Sequence, residues 1–327
     1  MNVRQVLVSQ IRRYGALVAL LVAAGIPSVH AANPLVRVTT TYGDFTMELL
    51  QDRAPDTVSN FLGYVDRGDF SRMVVHRSVA DFVIQGGQFR WTGDCITLIV
   101  GNCGPVMVPV GPTVVNEPGV SNVRGTVAMA KLDGFVNSAT NQWFINLADN
   151  STNLDAQNGG FTVFARVLGN GISVADAIND LPLTFVSDSV TDMPVRDYGA
   201  TSTGPVEKNL VLMNVYRVQR FSESMHVFDY STGLLNTYVN GGTTLGNVGL
   251  VMKIVEDGAQ IVFQVDPRSM IPLAITPAGM ASYADSDQRL RIPQVELNQN
   301  GQVSHINNVV MRLIDAASLR FVVESYE

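Results

Sequence analysis

Hydrophobic and polar positions alternate in short runs from residue 35 onward. Val36, Val38 and Thr40, then Phe45, Met47 and Leu49, flank a Tyr42-Gly43-Asp44 turn, the period-two pattern of a hairpin with one buried face. The period then lengthens. Pro55 at a first helical position, Asp56 in the first turn, Val58, Phe61, Leu62 and Val65 on one face and Gly68 at the end predict an amphipathic helix. Runs rich in β-branched and aromatic residues at 73–77, 82–86, 127–131, 142–147, 161–168 and 209–218 raise the strand count to about eight. A second helix fits 173–181, with Ser173 as N-cap, Val174, Ala177, Ile178 and Leu181 on one face and Pro182 as the stop. Many strands with two helices far apart predict a mainly β fold, an eight-stranded closed antiparallel barrel capped by two helices, because closure removes exposed strand edges.

A Ser/Thr/Asp/Gly-rich stretch between Pro182 and Pro205 reads as a long loop before the last barrel strand. After Arg220 an internal repeat sets in. Val251-Met252-Lys253-Ile254-Val255-Glu256 parallels Val310-Met311-Arg312-Leu313-Ile314-Asp315, and Ile261-Val262-Phe263 parallels Leu319-Arg320-Phe321. Upstream, 228–239 and 283–295 share a looser turn-and-strand pattern. Each unit reads as a pair of hairpins, and two units predict a small all-β domain packed as a β-sandwich. This part carries no paired carboxylates or nucleophile motif, and it reads as a binding or spacer module.

Composition narrows the function classes. The 327 residues suffice for roughly two domains of about 150 residues each, and 46% hydrophobic content supplies a core for both. A charged fraction of 16% and a net charge of −7 argue against a basic nucleic-acid-binding face. Two cysteines and four scattered histidines suggest neither a disulfide scaffold nor a metal cluster, so neither metal nor cofactor is expected. Asp149, Ser151, Asn153 and Asp155 alternate like a calcium loop, but Leu154 sits where that loop requires glycine.

The first 31 residues read as an export leader. Arg4, Arg12 and Arg13 precede an apolar run from Gly15 to Ile26, then Pro27 and the small-residue pattern Val29-His30-Ala31. The run is about twelve residues, whereas a bilayer span needs roughly twenty, so cleavage after Ala31 is expected and no membrane span after it. Losing three arginines and no acid takes the net charge from −7 to −10. The expected compartment is the periplasm, with secretion as the alternative. The division that results is a leader at 1–31, a first domain at 32–220 and the repeat domain at 221–327. In an oxidising compartment Cys95 and Cys103, inside a Gly/Pro-rich insertion at 91–118, are expected to bridge.

Four blocks of the first domain resemble one family. They are Ala54-Pro55-Asp56-Thr57-Val58-Ser59-Asn60-Phe61; Val75-His76-Arg77 with Asp81-Phe82-Val83-Ile84-Gln85-Gly86-Gly87-Gln88-Phe89; Arg124-Gly125-Thr126-Val127-Ala128-Met129-Ala130; and Ser138-Ala139-Thr140-Asn141-Gln142-Trp143-Phe144-Ile145-Asn146. Their order and spacing over about 35–220 resemble the cyclophilins, especially the bacterial exported type. The resemblance implies peptidyl-prolyl cis–trans isomerase activity on proline-containing polypeptides of exported proteins. The alternative is a proline-binding chaperone or scaffold of the cell envelope without catalysis.

By match to the family pattern, Arg77 carries the donor to the prolyl nitrogen and Gln85 holds substrate backbone and orients the arginine. Phe82, Val83, Ala130, Gln142, Phe144, Leu154 and Phe161 match the residues that line the proline groove. His76 reads as a packing residue, because isomerisation needs no obligatory proton transfer. Three positions depart from common family choices: Phe161 replaces a histidine, Val83 a methionine, and Asn153 a tryptophan that helps many eukaryotic members bind cyclosporin. The resemblance therefore carries over catalysis but not drug sensitivity. Oligomeric state has no signature in the sequence.

Overall fold

The computed structural model describes residues 32–92, 104–188, 190–199, 204–257, 260–299 and 301–327. The leader read at 1–31 and both cysteines, Cys95 and Cys103, lie outside the described residues.

The first part is one curled antiparallel sheet. Its strands are β1 (Leu35–Thr40), β2 (Gly43–Leu49), β3 (Met73–Val74), β4 (Arg77–Val79), β5 (Val83–Gly86), β6 (Phe89–Thr92), β7 (Gly104–Met107), β8 (Thr126–Met129), β9 (Trp143–Asn146) and β10 (Val163–Val167). A separate ribbon, β11 (Leu183–Thr184) with β12 (Met193–Pro194), precedes its last strand, β13 (Leu212–Val218). The order is β4-β5-β9-β8-β10-β2-β1-β13-β3-β6-β7. Only Val75 and His76 separate β3 from β4, and their amides donate to Val211 O and Gln85 O, both at 3.1 Å. The wall therefore curls until consecutive segments meet across its seam.

Eleven strands stand where about eight were expected. The run read as one strand at 73–77 breaks at Val75-His76, and the segment read as an insertion at 91–118 carries β7, which pairs with β6. The fold class is mainly β, as the alternating pattern implies.

Two helices close the ends of the wall. Helix α1 (Pro55–Asp66) buries Val58, Phe61, Leu62, Tyr64 and Val65, and Gly68 past its end takes φ +72°, which favours glycine. Its N-cap Ala54 has no capping side chain; instead Glu117, distant in sequence, accepts from the Asp56 and Thr57 amides at 3.2 and 2.9 Å. Helix α2 (Ser151–Leu154) is a single turn. Helix α3 (Ile172–Asn179) starts before the predicted cap: Gly171 is the N-cap residue, and the Ser173 hydroxyl donates to Asn170 O at 2.8 Å. Between the helices lies a core that includes Met47, Met129, Trp143, Ile145, Phe164 and Met213, all almost fully buried.

The repeat region forms a second β structure, but the expected sandwich does not occur. Its strands are β14 (Val227–Asp229), β15 (Leu234–Asn240), β16 (Asn247–Asp257), β17 (Ile261–Val265), β18 (Ile271–Pro272), β19 (Ala281–Ala284), β20 (Arg289–Gln299), β21 (Gln302–Asp315) and β22 (Arg320–Ser325), with a short helix α4 (Gly242–Leu245) after β15. The pairings β15–β16 and β14–β20 close this sheet into a seven-strand ring of β15, β16, β17, β22, β21, β20 and β14.

The repeat is visible inside that ring. Phe263 pairs with its counterpart Phe321 where β17 meets β22, and Leu235–Met252 in one unit corresponds to Leu290–Met311 in the other. Each unit has a register shift at the same place, between Ile254 and Glu256 or between Leu313 and Asp315. Phe228 meets Phe263 edge-on at 5.5 Å, as Tyr283 meets Phe321 at 6.0 Å. The two units share one core, each completing the other's wall.

The two structures meet through β1, β2, β3 and β13. Arg37 of β1 pairs with Asp44 at 2.5 Å and donates to Ser224 O at 2.8 Å, while the Tyr238 hydroxyl donates to Asp44 at 2.8 Å. Asn214 donates to Ser269 O at 2.6 Å, and Arg72 to Met270 O at 2.7 Å. Ile271 packs with Val74, Trp91 and Leu212. These strands, with Trp91 of β6 beside them, lie on the ladder away from β5, β9 and β8.

Candidate functional site

The site residues are brought together on the outer face of β4, β5, β9 and β8. Side chains alternate across a strand, so Ile84 and Ile145 point into the barrel core while Val83, Gln85 and Phe144 point out. Outside the wall, Val83, Ala128, Phe144, Leu154 and Val163 form a separate buried cluster, with Phe82, Ala130 and Phe161 half-buried against it. Leu154 reaches it from α2. The apolar positions matched by the sequence therefore form an outer-face cluster distinct from the barrel interior.

Strand register sets the polar side of this cluster. Arg77 on β4 stands opposite Gln85 on β5, and Gln85 stands opposite Phe144 on β9. The Arg77 guanidinium donates to Gln85 Oε1 at 3.3 Å, and Gln85 Nε2 donates to Gln142 Oε1 at 3.0 Å. The guanidinium lies 5.9 Å from the Phe82 ring centroid. Among the described residues no carboxylate lies within ion-pair distance of Arg77, although most other arginines of the chain are so paired. A half-buried, unneutralised fork therefore stands beside an apolar ring surface.

His76 next to it is buried, its ring edge-on to Phe89 at 5.7 Å. Burial pushes its pKa down to about 4, so the ring is neutral at ordinary pH and belongs to the packing.

Sequence reasoning missed Lys131. Its ammonium donates to Gly160 O at 2.6 Å and Asn158 O at 2.8 Å and lies 4.8 Å from the Phe161 ring centroid. Partial burial lowers its pKa. It fixes the loop that carries Phe161, whose ring also meets Phe144 edge-on at 5.9 Å. Its only signal in the sequence is its place directly after Ala130. Asn153 is exposed on α2, and the acids of the rejected calcium pattern accept hydrogen bonds from the protein: Asp149 from nearby Ser151, and Asp155 from the distant Ser121 and Asn122. A hollow of about 190 Å³ beside Pro118 and Asp155 touches the apolar set at Phe161 and does not reach Arg77. Arg77 stands at the half-buried edge of the apolar cluster, outside that hollow.

Residues 35–200 match the family described as cyclophilin type peptidyl-prolyl cis-trans isomerase/CLD. Similar curated proteins include a peptidyl-prolyl cis-trans isomerase of Acinetobacter baylyi, 33% identical over 55% of this chain and 91% of that one. Peptidyl-prolyl cis-trans isomerase B of Escherichia coli is 34% identical over 50% of this chain and 94% of its own. A cyclophilin of Cryptosporidium parvum, solved in the presence of the dipeptide Ala-Pro, covers 57% of this chain and 99% of its own, at 21% identity and a TM-score of 0.40. The chain belongs to the cyclophilin-type peptidyl-prolyl cis-trans isomerases.

Proposed function

We propose that the chain accelerates X-Pro rotation in exported proteins, with Arg77 donating to the prolyl nitrogen of the twisted amide. Rotation is opposed by amide resonance, a barrier of about 18–20 kcal/mol, and crossing it makes and breaks no covalent bond. A catalyst must bind the twisted amide more tightly than the planar one. When conjugation breaks, the prolyl nitrogen regains a lone pair, so a fixed donor beside it acts only in the transition state. The guanidinium keeps its charge at any ordinary pH.

The observation that carries this reading is the unneutralised Arg77 fork, held by Gln85 at the border of the Phe82–Phe144–Phe161 surface. The apolar side takes the proline ring; the polar side meets the amide. Proline-containing polypeptides are the substrates, and the reaction asks for no cofactor. Export rests on the leader pattern at 1–31 and predicts a mature chain beginning at Ala32, read by mass spectrometry of the envelope fraction. Cys95 and Cys103 are proposed to be bridged in that compartment, and the three-part division at 31/32 and 220/221 is kept as part of the same reading.

The test is a coupled assay of cis-to-trans conversion in a short X-Pro peptide with the full chain and its Arg77→Ala variant. A loss of roughly 10²–10³ in kcat is expected, the usual effect of deleting one transition-state donor. Equal rates, or no rate above background in the unaltered chain, would favour the non-catalytic scaffold.

A further inference from the structure

On the outer face that carries the site, the apolar cluster borders a chain of buried side-chain amides. Asn146 follows Ile145 on β9 and stands opposite Val83 of that cluster. Asn122 and Asn146 are 0% exposed, and Asn150 is 8% exposed. Asn150 Nδ2 donates to Phe82 O at 3.0 Å and to Asn146 Oδ1 at 2.8 Å. Asn146 Nδ2 donates to Thr126 Oγ1 at 2.9 Å and to Asn122 Oδ1 at 3.2 Å. Asn122 Nδ2 donates to Asp155 Oδ1 at 2.9 Å and to Phe161 O at 3.0 Å. Both hydrogens of every amide are used, and an unbroken line of bonds joins the backbone of Phe82 to that of Phe161.

The two ends of this line matter to the site. Phe82 and Phe161 are the half-buried rings that flank the cluster, Phe82 beside the Arg77 guanidinium and Phe161 edge-on to Phe144. Each stands just outside a strand, before β5 and before β10, so ladder pairing alone does not fix the distance between them. Burying three amides costs desolvation that an apolar filling would avoid, and their hydrogen bonds mainly offset that cost. What a fully bonded network adds is one rigid arrangement.

We infer that Asn122, Asn146 and Asn150 are positioning residues of the site: their amide chain fixes the separation of Phe82 and Phe161, and with it the size of ring accepted beside Arg77. None of the three needs to touch substrate. They act through the backbones they hold, as small misplacements of a bound group are costly to a reaction that depends on alignment. The inference rests on the reading of this face as the proline site.

The test compares two peptides that differ only in carrying proline or its six-membered homologue, pipecolic acid, after the same residue. Catalytic efficiency on each is read by NMR exchange with the full chain. A ratio of efficiencies does not depend on how much of the protein is folded, so a loss of stability alone leaves it unchanged. One extra methylene in a fitted apolar site is worth roughly 10–200-fold, and the unaltered chain should prefer proline by at least about tenfold. Asn146→Ala cuts the chain at its middle and Asn150→Ala at its Phe82 end; each should bring the ratio down to about threefold or less. Asn150 lies at the edge of the network, so its variant carries the test if Asn146→Ala does not fold. Val38→Ala, a cavity in the core behind β1, should lower the thermal transition and keep the ratio. A ratio already near one in the unaltered chain, a ratio that survives the asparagine substitutions, or an equal fall in Val38→Ala overturns the inference. If the unaltered chain turns over neither peptide, the isomerase reading fails and the ratio is taken from affinities, by competition with a labelled proline peptide. Its collapse in Asn150→Ala then keeps the positioning role, and its survival overturns that too.

Discussion

Arg77 and Gln85 stand directly opposite each other across the β4–β5 ladder, and one hydrogen bond of 3.3 Å joins the guanidinium to the amide oxygen. The other end of that amide is engaged by Gln142 at 3.0 Å, and on the proposed reading Gln85 positions the cation. Gln85→Ala should lower kcat about tenfold through misaimed donation. Gln85→Glu keeps the shape but neutralises the fork, and its loss should be at least as large. Its kcat should recover as pH falls through the carboxylate range, near 4, because protonation restores an uncharged partner. A role limited to packing would give no such recovery.

The junction between the two β structures predicts cooperative unfolding. Arg37 is 3% exposed and holds both Asp44 and the Ser224 carbonyl, with Tyr238 closing on the same carboxylate. Arg37→Met removes one partner of a buried pair and should cost roughly 3 kcal/mol, since Asp44 is left without its cation. Calorimetry should show one transition in the unaltered chain and two, or one much lower, in the variant. Two resolved transitions in the unaltered chain would contradict a rigid junction.

The site residues were named by their resemblance to contiguous family blocks, and the apolar ones among them cluster on one outer face. The strands at 82–86 and 142–147 were read from their β-branched and aromatic content, and β5 and β9 lie within them. Lys131 and Glu117 were not legible, because their partners come from other loops: Gly160 and Asn158 for one, the amide end of α1 for the other. The repeat was found, but alternating apolar positions serve a sandwich and a barrel equally well. What decides between them is nonlocal pairing, Phe263 with Phe321 and the parallel contacts of β14 with β20 and β15 with β19. No local pattern records such contacts.

Acid sensitivity follows from His76. Its native pKa, lowered by burial to about 4, lies below the unfolded value, so the unfolded chain binds a proton between about 6.5 and 4 that the native chain refuses. Its contribution is therefore complete above about 6.5 and is lost as pH falls toward 4, by up to about 3 kcal/mol. His226, also depressed by burial, acts in the same direction. Denaturant melts at several pH values should show a shallower slope in His76→Phe than in the unaltered chain. Identical slopes would remove His76 from this account.

The central claim is that the Arg77 fork acts on the twisted amide and not on the bound planar one. Two-dimensional NMR exchange spectroscopy on an X-Pro peptide reads both quantities in one sample: exchange cross-peaks report catalysed rotation, and shift changes report binding. With the unaltered chain, strong cis–trans exchange should appear; with Arg77→Ala it should vanish while binding shifts persist at about the same peptide concentration. Persistence of exchange in the variant, or loss of binding and exchange together, would contradict the claim.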